Sequence, residues 1–411
     1  CLMLYISDRG SMMEKYTINN IEEIVKQVMA SLQNNEVQVA SSVGHGKSGR
    51  VAYLVEKQKI EVKTYDIPEI TDDEVLVKIE GCGVCGTDVH EYKNDPFGLI
   101  PVVLGHEGTG EIIKIGKNVT KDMVGKPLRV GDKVVTSVTL AGSDEFTTLK
   151  PERANLSSKA EVYGLLPDDE YRFNGWFGDY IILRKNSSIF NVSDMGLDER
   201  ILIEPAAVAV HAVERAKTTQ LLRFDSKVLI QGCGPIGLLL LTVLRTMGIQ
   251  NIIAIDGDDQ RLSYARDLGA DYTFNFKNYK DFETMCDAVH EVTNGGVDFA
   301  FQCTGVPSAA GNIYKFIRRG GGLCEVGFFV DNGNATINPH WDFCQKEITV
   351  VGSWTYTFKD YVTTLDFLRR AKGIGLPVEK LITHKFSLDE LNEAMEVNMK
   401  LQGIKVAYVN R

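Results

Sequence analysis

The sequence is poor in the features that would mark several whole classes of protein. No apolar run approaches the ~20 residues a helix needs to cross a bilayer. Positive charge is not in excess. The 45 Lys and Arg face 55 Asp and Glu, a net charge of −10 at pH 7. That balance argues against nucleic acid and against an anionic membrane surface as partners. Cysteine is scarce and dispersed, with eight among 411 residues and only Cys82 and Cys85 close together. Such spacing makes a poor disulfide framework and suits a reducing cytoplasm. The opening stretch Cys1 to Ile6 is too short for the apolar core of a secretory signal, and Met12 or Met13 reads as the natural start. There is no internal repeat. What remains, 44% hydrophobic and 24% charged, is ordinary globular composition and is long enough for two domains.

Against that plain background two motifs stand out. Gly83-Val84-Cys85-Gly86-Thr87-Asp88-Val89-His90 is followed by Gly105-His106-Glu107. A thiolate, an imidazole and a carboxylate suit Zn²⁺, and three protein ligands leave one coordination position open. An open zinc site polarises an alcohol or carbonyl oxygen. Further on, Gly232-Cys233-Gly234-Pro235-Ile236-Gly237 lies between the apolar strand Lys227 to Ile230 and a helical stretch to Met247. Glycines there permit a tight turn and bring a pyrophosphate to the helix N-terminus. Asp256 closes the next strand, where a carboxylate bonds the ribose 2′-hydroxyl and repels a 2′-phosphate, so NAD is expected over NADP.

The chain divides into four stretches. Residues 1–49 read as an amphipathic helix and a linker, 50–204 as a β-rich catalytic domain, 205–345 as strand–helix alternation, and 346–411 as a return to the catalytic domain. The alternation predicts an α/β fold with a doubly wound parallel sheet.

The ordered set of motifs resembles the zinc-dependent medium-chain alcohol dehydrogenases. Gly105-His106-Glu107-Gly108, Gly131-Asp132-Lys133-Val134, Glu204-Pro205, Thr304-Gly305-Val306-Pro307 and Thr383-His384-Lys385-Phe386 carry the likeness. The resemblance implies a GroES-like catalytic domain, a Rossmann domain and a cleft between them. It implies zinc at Cys85 and His106, with Glu107 or Glu204 completing the site as a metal ligand. Glu204 stands where sorbitol-type polyol dehydrogenases have glutamate and many alcohol dehydrogenases have cysteine. Thr87 matches the hydroxyl that touches the substrate oxygen, and His90 the distal member of a proton relay. Gly232, Gly234, Pro235, Ile236, Gly237 and Asp256 match the cofactor site. The family's four-cysteine lobe falls in about 137–171, where no cysteine occurs, so one catalytic zinc and no structural zinc is expected. The implied activity is hydride transfer between NAD(H) and an alcohol, aldehyde or polyol, in a dimer or tetramer. The alternatives are a zinc-free quinone or enoyl reductase of the same superfamily, which lacks such a ligand set, and a non-catalytic assembly protein. Cys82, Cys233, Cys303, Cys324 and Cys344 read as packing residues, His211 as structural, and Trp176, Trp341, Trp354 and Tyr356 as candidates for lining a pocket.

Residues 13–32 fall outside that likeness. Ile21, Ile24, Val25, Val28, Met29 and Leu32 form one apolar stripe. Gln33 to Gly49 has linker composition. This pair resembles the encapsulation peptides of bacterial microcompartment cargo enzymes. It implies docking to shell or cargo proteins and residence in the compartment lumen.

Overall fold

The structure, a computed structural model, describes residues 47–140, 144–169 and 171–411. The predicted N-terminal helix over 13–32 lies outside the described residues. The predicted linker ends earlier than its composition suggests, because the first strand, Ser48–Glu56, already takes in Gly49. A Cβ on Gly49 would press on the Tyr180 ring at 2.6 Å, so this glycine belongs to the packed body.

The first part is antiparallel and β-rich. Ser48–Glu56 pairs with Lys59–Asp66 and with Val102–Val103. A seven-stranded sheet centres on Val75–Gly83, which lies between Glu107–Ile115 and Lys405–Val409 and also pairs with Tyr180–Leu183. The late strand Lys405–Val409 therefore closes a sheet begun more than three hundred positions earlier. Between the sheets Val75, Val77, Ile79, Ile112, Ile181 and Val406 are buried together.

The second part is a six-stranded sheet, every pairing parallel. Its order is Tyr272–Asn275, Asn251–Asp256, Lys227–Gln231, Val297–Gln302, Ile317–Glu325, Thr349–Gly352. Numbered along the chain this is 3-2-1-4-5-6, the doubly wound Rossmann order. The strands read Val228-Leu229-Ile230 and Ile252-Ile253-Ala254-Ile255 without alternation, because helices cover both faces. Helices Ile203–Lys217, Pro235–Met247 and Phe358–Gly373 share one core on one face. The α/β expectation, a Rossmann sheet beside a GroES-like β unit, is what the chain forms. Among the described residues no helix is long and apolar enough to cross a membrane.

The region where a cysteine lobe would stand is a small unit of its own. Thr139–Leu140 pairs with Glu161–Val162, and a short 3₁₀ helix spans Pro151–Leu156. Ser157 Oγ donates to Asp144 Oδ2 at 2.8 Å. Leu140, Tyr163 and Leu166 are buried in the core of the β-rich part and tie the unit down by packing.

Candidate active site

The helix Gly86–Asn94 starts where strand Val75–Gly83 ends, and Cys85 is its N-cap. Asp88, three residues on, accepts from the Cys85 backbone N–H at 2.8 Å through Oδ2. Its Oδ1 accepts from Gly105 N–H at 3.1 Å and faces His106 Nδ1 at 3.4 Å. One fully buried carboxylate thus fixes the cysteine turn and the histidine turn together. Sequence reading quoted Asp88 but gave it no role. The signal was available, since an acid three residues after an N-cap is the capping-box pattern.

Strand register brings the third group in. Gly83 pairs with Glu107 across the sheet. A Cβ at Gly83 would fall on the Glu107 carboxylate, so only glycine leaves that side chain its place. The result is a cluster in which one ligand atom each of Cys85, His106 and Glu107 lies within 4.8 Å of the others. His106 Nδ1 and Glu107 Oε2 are buried without a hydrogen-bond partner. A thiol beside a buried imidazole and a buried carboxylate is a donor set that suits a zinc ion. Among the described residues no other group of this kind occurs.

Lys405, 3% exposed, forms an ion pair with Glu107 Oε2 and donates to Val84 O at 3.0 Å. Burial, the largest single influence, works to lower the Lys405 pKa, but Glu107, Cys85 and Glu204 together outweigh it and the ammonium is kept. No local pattern announces Lys405. It is remote in sequence and enters through the closing strand.

Glu204 is brought to the edge of this cluster and not into it. Its carboxylate is not among the atoms within 4.8 Å of one another. It begins helix Ile203–Lys217, is buried, and its Oε1 accepts from Tyr356 Oη at 2.7 Å. Burial, with the Glu107 charge adding to it, raises its pKa to about 7. His106 is moved the other way by its neighbours. Burial works to lower its pKa, and Asp88 and Cys85 together outweigh burial to raise it well above the usual histidine range.

Thr87 Oγ1 lies 3.8 Å from Cys85 Sγ. His90, one turn along the helix, sits edge-on to Phe329 with ring centroids 5.5 Å apart. Burial, then Lys93, lowers its pKa, which favours the neutral imidazole. Of the aromatic residues considered for a pocket, only Tyr356 meets a site residue, Glu204. Trp176 is wholly buried over Gly108, while Trp341 and Trp354 are 55% and 50% exposed. Cys344 is exposed, contrary to its expected packing role, because it ends the short helix Pro339–Cys344, whose Trp341 and Phe343 are exposed as well. Cys82, Cys233 and Cys324 are buried, Cys303 partly so. His211 is buried, with Nδ1 3.0 Å from Asp360 Oδ2.

The three glycines of the second motif differ in what surrounds them. Gly232 has φ +100°, a conformation disfavoured for residues with a side chain, and its Cβ would meet Thr304 at 2.6 Å. Gly237 packs against the Gly232 carbonyl. Gly234, the N-cap of Pro235–Met247, has only Arg261 near, at 3.9 Å from an added Cβ. The open side is at the middle glycine, before the helix N-terminus, where an anion is favoured. Pro235 opens the helix, so its missing N–H costs nothing, and Ile236 follows it in the first turn. Asp256 Oδ2 accepts from Cys233 N–H at 2.7 Å, and Oδ1 from Gly257 and Asp258 at 2.7 and 3.0 Å. A carboxylate has about four acceptor sites, so capacity remains on Oδ2.

Comparisons with known proteins agree with this chemistry. Residues 71–194 match the alcohol dehydrogenase GroES-like domain, and 235–370 the zinc-binding dehydrogenase family. The chain is 31% identical over 370 residues to a sorbitol dehydrogenase of Bacillus subtilis, covering 88% of this chain and 98% of that one. It is 32% identical over 346 residues to a D-arabitol-phosphate dehydrogenase of Enterococcus avium, covering 83% and 91%. Among solved structures, an alcohol dehydrogenase from Thermotoga maritima matches with a TM-score of 0.82 and 28% identity, over 89% of this chain and all of that one.

Proposed function

Because the chain belongs to the zinc-binding medium-chain alcohol dehydrogenase family, we propose that the site built on Cys85, His106 and Glu107 oxidises polyols with NAD and, in the reverse direction, reduces the corresponding ketoses or aldehydes with NADH. The chain is a zinc-dependent oxidoreductase acting on CH–OH groups. The observation that carries the substrate reading is the buried Glu204 beside the cluster, a second carboxylate that suits a substrate with several hydroxyls. Polyol dehydrogenases among the relatives support it.

Cys85, His106 and Glu107 are the residues that would hold zinc, with Glu204 next in reach. The metal, when bound, supplies a Lewis acid that makes an alcohol proton easier to remove. Thr87 would receive the substrate hydroxyl. His90, neutral near pH 7, would accept the proton. Asp88 holds the cysteine and histidine turns, and Lys405 offsets the charge of Glu107. The glycine turn would seat the NAD pyrophosphate, with Asp256 at the ribose.

Metal analysis with an NAD-linked panel of polyols, phosphorylated polyols and short alcohols and aldehydes, run in both directions, tests this reading. The expected result is about one zinc per chain and the highest kcat/KM on a polyol. Two firmly held zincs would overturn the single-site expectation. Turnover of quinones or enoyl substrates with no metal would favour the zinc-free reductase reading.

Strand Thr349–Gly352 ends the parallel sheet with Val350 38% exposed. An uncovered edge bearing an exposed apolar side chain is suited to pairing with a second copy, so an oligomer built on this edge is part of the proposal. The targeting role of residues 13–32 is a separate proposal, resting on their apolar stripe. Residues 13–49 fused to a fluorescent protein should co-sediment with microcompartment shells, and Ile24→Glu with Val28→Glu should abolish this. Loss of dehydrogenase activity on deleting residues 1–45 would show instead that the segment serves the folded enzyme.

A further inference from the structure

Glu204 is held by a single side chain, and that side chain sits beside strained backbone. Tyr356, 2% exposed, donates from Oη to Glu204 Oε1 at 2.7 Å. The preceding residue, Thr355, has φ +47°. A β-branched residue in that region is a true outlier, and such strain persists only where the surroundings over-determine it.

The surroundings do so here. On one side Asn155, from the 3₁₀ turn Pro151–Leu156, donates from Nδ2 to Trp354 O at 2.7 Å. On the other, Thr357 donates from its backbone N–H and Oγ1 to Asp360 Oδ2, at 2.6 and 3.0 Å. The same Asp360 oxygen meets His211 Nδ1 at 3.0 Å. His211 lies two turns beyond Glu204 on the same helix, so both face the clamp. Asn155 Nδ2 is also 3.4 Å from His211 Nε2. The strained residue is thus gripped before and after, and the helix carrying Glu204 is gripped by the same groups.

We propose that Tyr356 is a positioning residue: its hydroxyl holds the Glu204 carboxylate away from the Cys85–His106–Glu107 cluster, and loss of this bond admits Glu204 to the metal. The inference rests on the reading that the cluster binds zinc. Asn155 acts through the clamp, from outside the pocket. The arrangement makes the fourth ligand position a matter of one hydrogen bond, so a substrate hydroxyl competes with a carboxylate that is restrained.

The test follows zinc release from the full-length protein to a chromophoric chelator. Tyr356→Phe should release zinc roughly tenfold more slowly, since an added carboxylate ligand tightens the site. Asn155→Ala should move the rate in the same direction by a smaller factor, and it keeps the test valid should Tyr356→Phe fold poorly. In a Glu204→Gln background both effects should vanish, which a general packing role would not produce. The Co²⁺-loaded Tyr356→Phe protein should show a shifted visible absorption band. Release at the wild-type rate or faster in Tyr356→Phe and Asn155→Ala overturns the proposal, as does an effect that survives Glu204→Gln. If the wild type takes up no zinc, or Cys85→Ser takes up as much, the site reading falls first and this inference with it.

Discussion

A Cys85→Ser protein should retain little zinc after dialysis against a weak chelator and lose NAD-linked polyol oxidation by roughly a thousandfold or more. Serine keeps the N-cap turn, because the bond from Asp88 reaches the backbone N–H and not the side chain. What is lost is the soft thiolate that makes the ligand set suit zinc. A Lewis acid contributes several kcal/mol of transition-state stabilisation, and each ~1.4 kcal/mol is tenfold in rate. Far-ultraviolet circular dichroism and metal analysis separate loss of metal from loss of fold. Wild-type zinc content in the variant would exclude Cys85 as a ligand.

The second large effect is expected at Asp256. Wild-type kcat/KM should favour NAD over NADP by about a hundredfold, and Asp256→Ala should bring the two within about tenfold. A 2′-phosphate placed against this carboxylate meets like charge in a half-buried setting, where a pair of charges interacts by about 1–4 kcal/mol. The same substitution removes the acceptor for three backbone N–H groups, from Cys233, Gly257 and Asp258. NAD efficiency should therefore fall as well, through a loosened glycine turn. A cofactor ratio unchanged in Asp256→Ala would sink the assignment.

These expectations arise from residues that sequence pattern made visible, and the rest of the site shows where pattern stops. Cys85, His106 and Glu107 announce themselves because they fall in short glycine-bounded motifs, and strand register then brings them within 4.8 Å. The doubly wound parallel sheet was legible from apolar strands alternating with helices, though its strand order was not. Asp88 was legible in principle as a capping acid. Lys405 and Tyr356 were not, because each meets its partner only after long-range closure. Lys405 arrives through a strand paired to Gly81–Gly83, and Tyr356 reaches Glu204 across 152 positions of sequence. Glu204 was expected among the metal residues, and the structure instead sets it beside the cluster, bonded to that tyrosine. The body's start at Ser48 was missed because glycine and serine read as linker until Tyr180 is seen packed against Gly49.

The Glu107–Lys405 pair has a consequence for the order in which the molecule is made. The ammonium meets the Val84 carbonyl 321 positions back along the chain. During synthesis Cys85, His106 and Glu107 leave the ribosome long before their counter-charge exists. A buried carboxylate without a partner is costly, so the strand pair bearing Glu107 gains its full stability only when Lys405–Val409 docks on Val75–Gly83. The two parts of the molecule are therefore not finished one after the other. By this reasoning the β-rich sheet and the Cys85–His106–Glu107 cluster are completed together by the last strand, after the residues of the parallel sheet have been made.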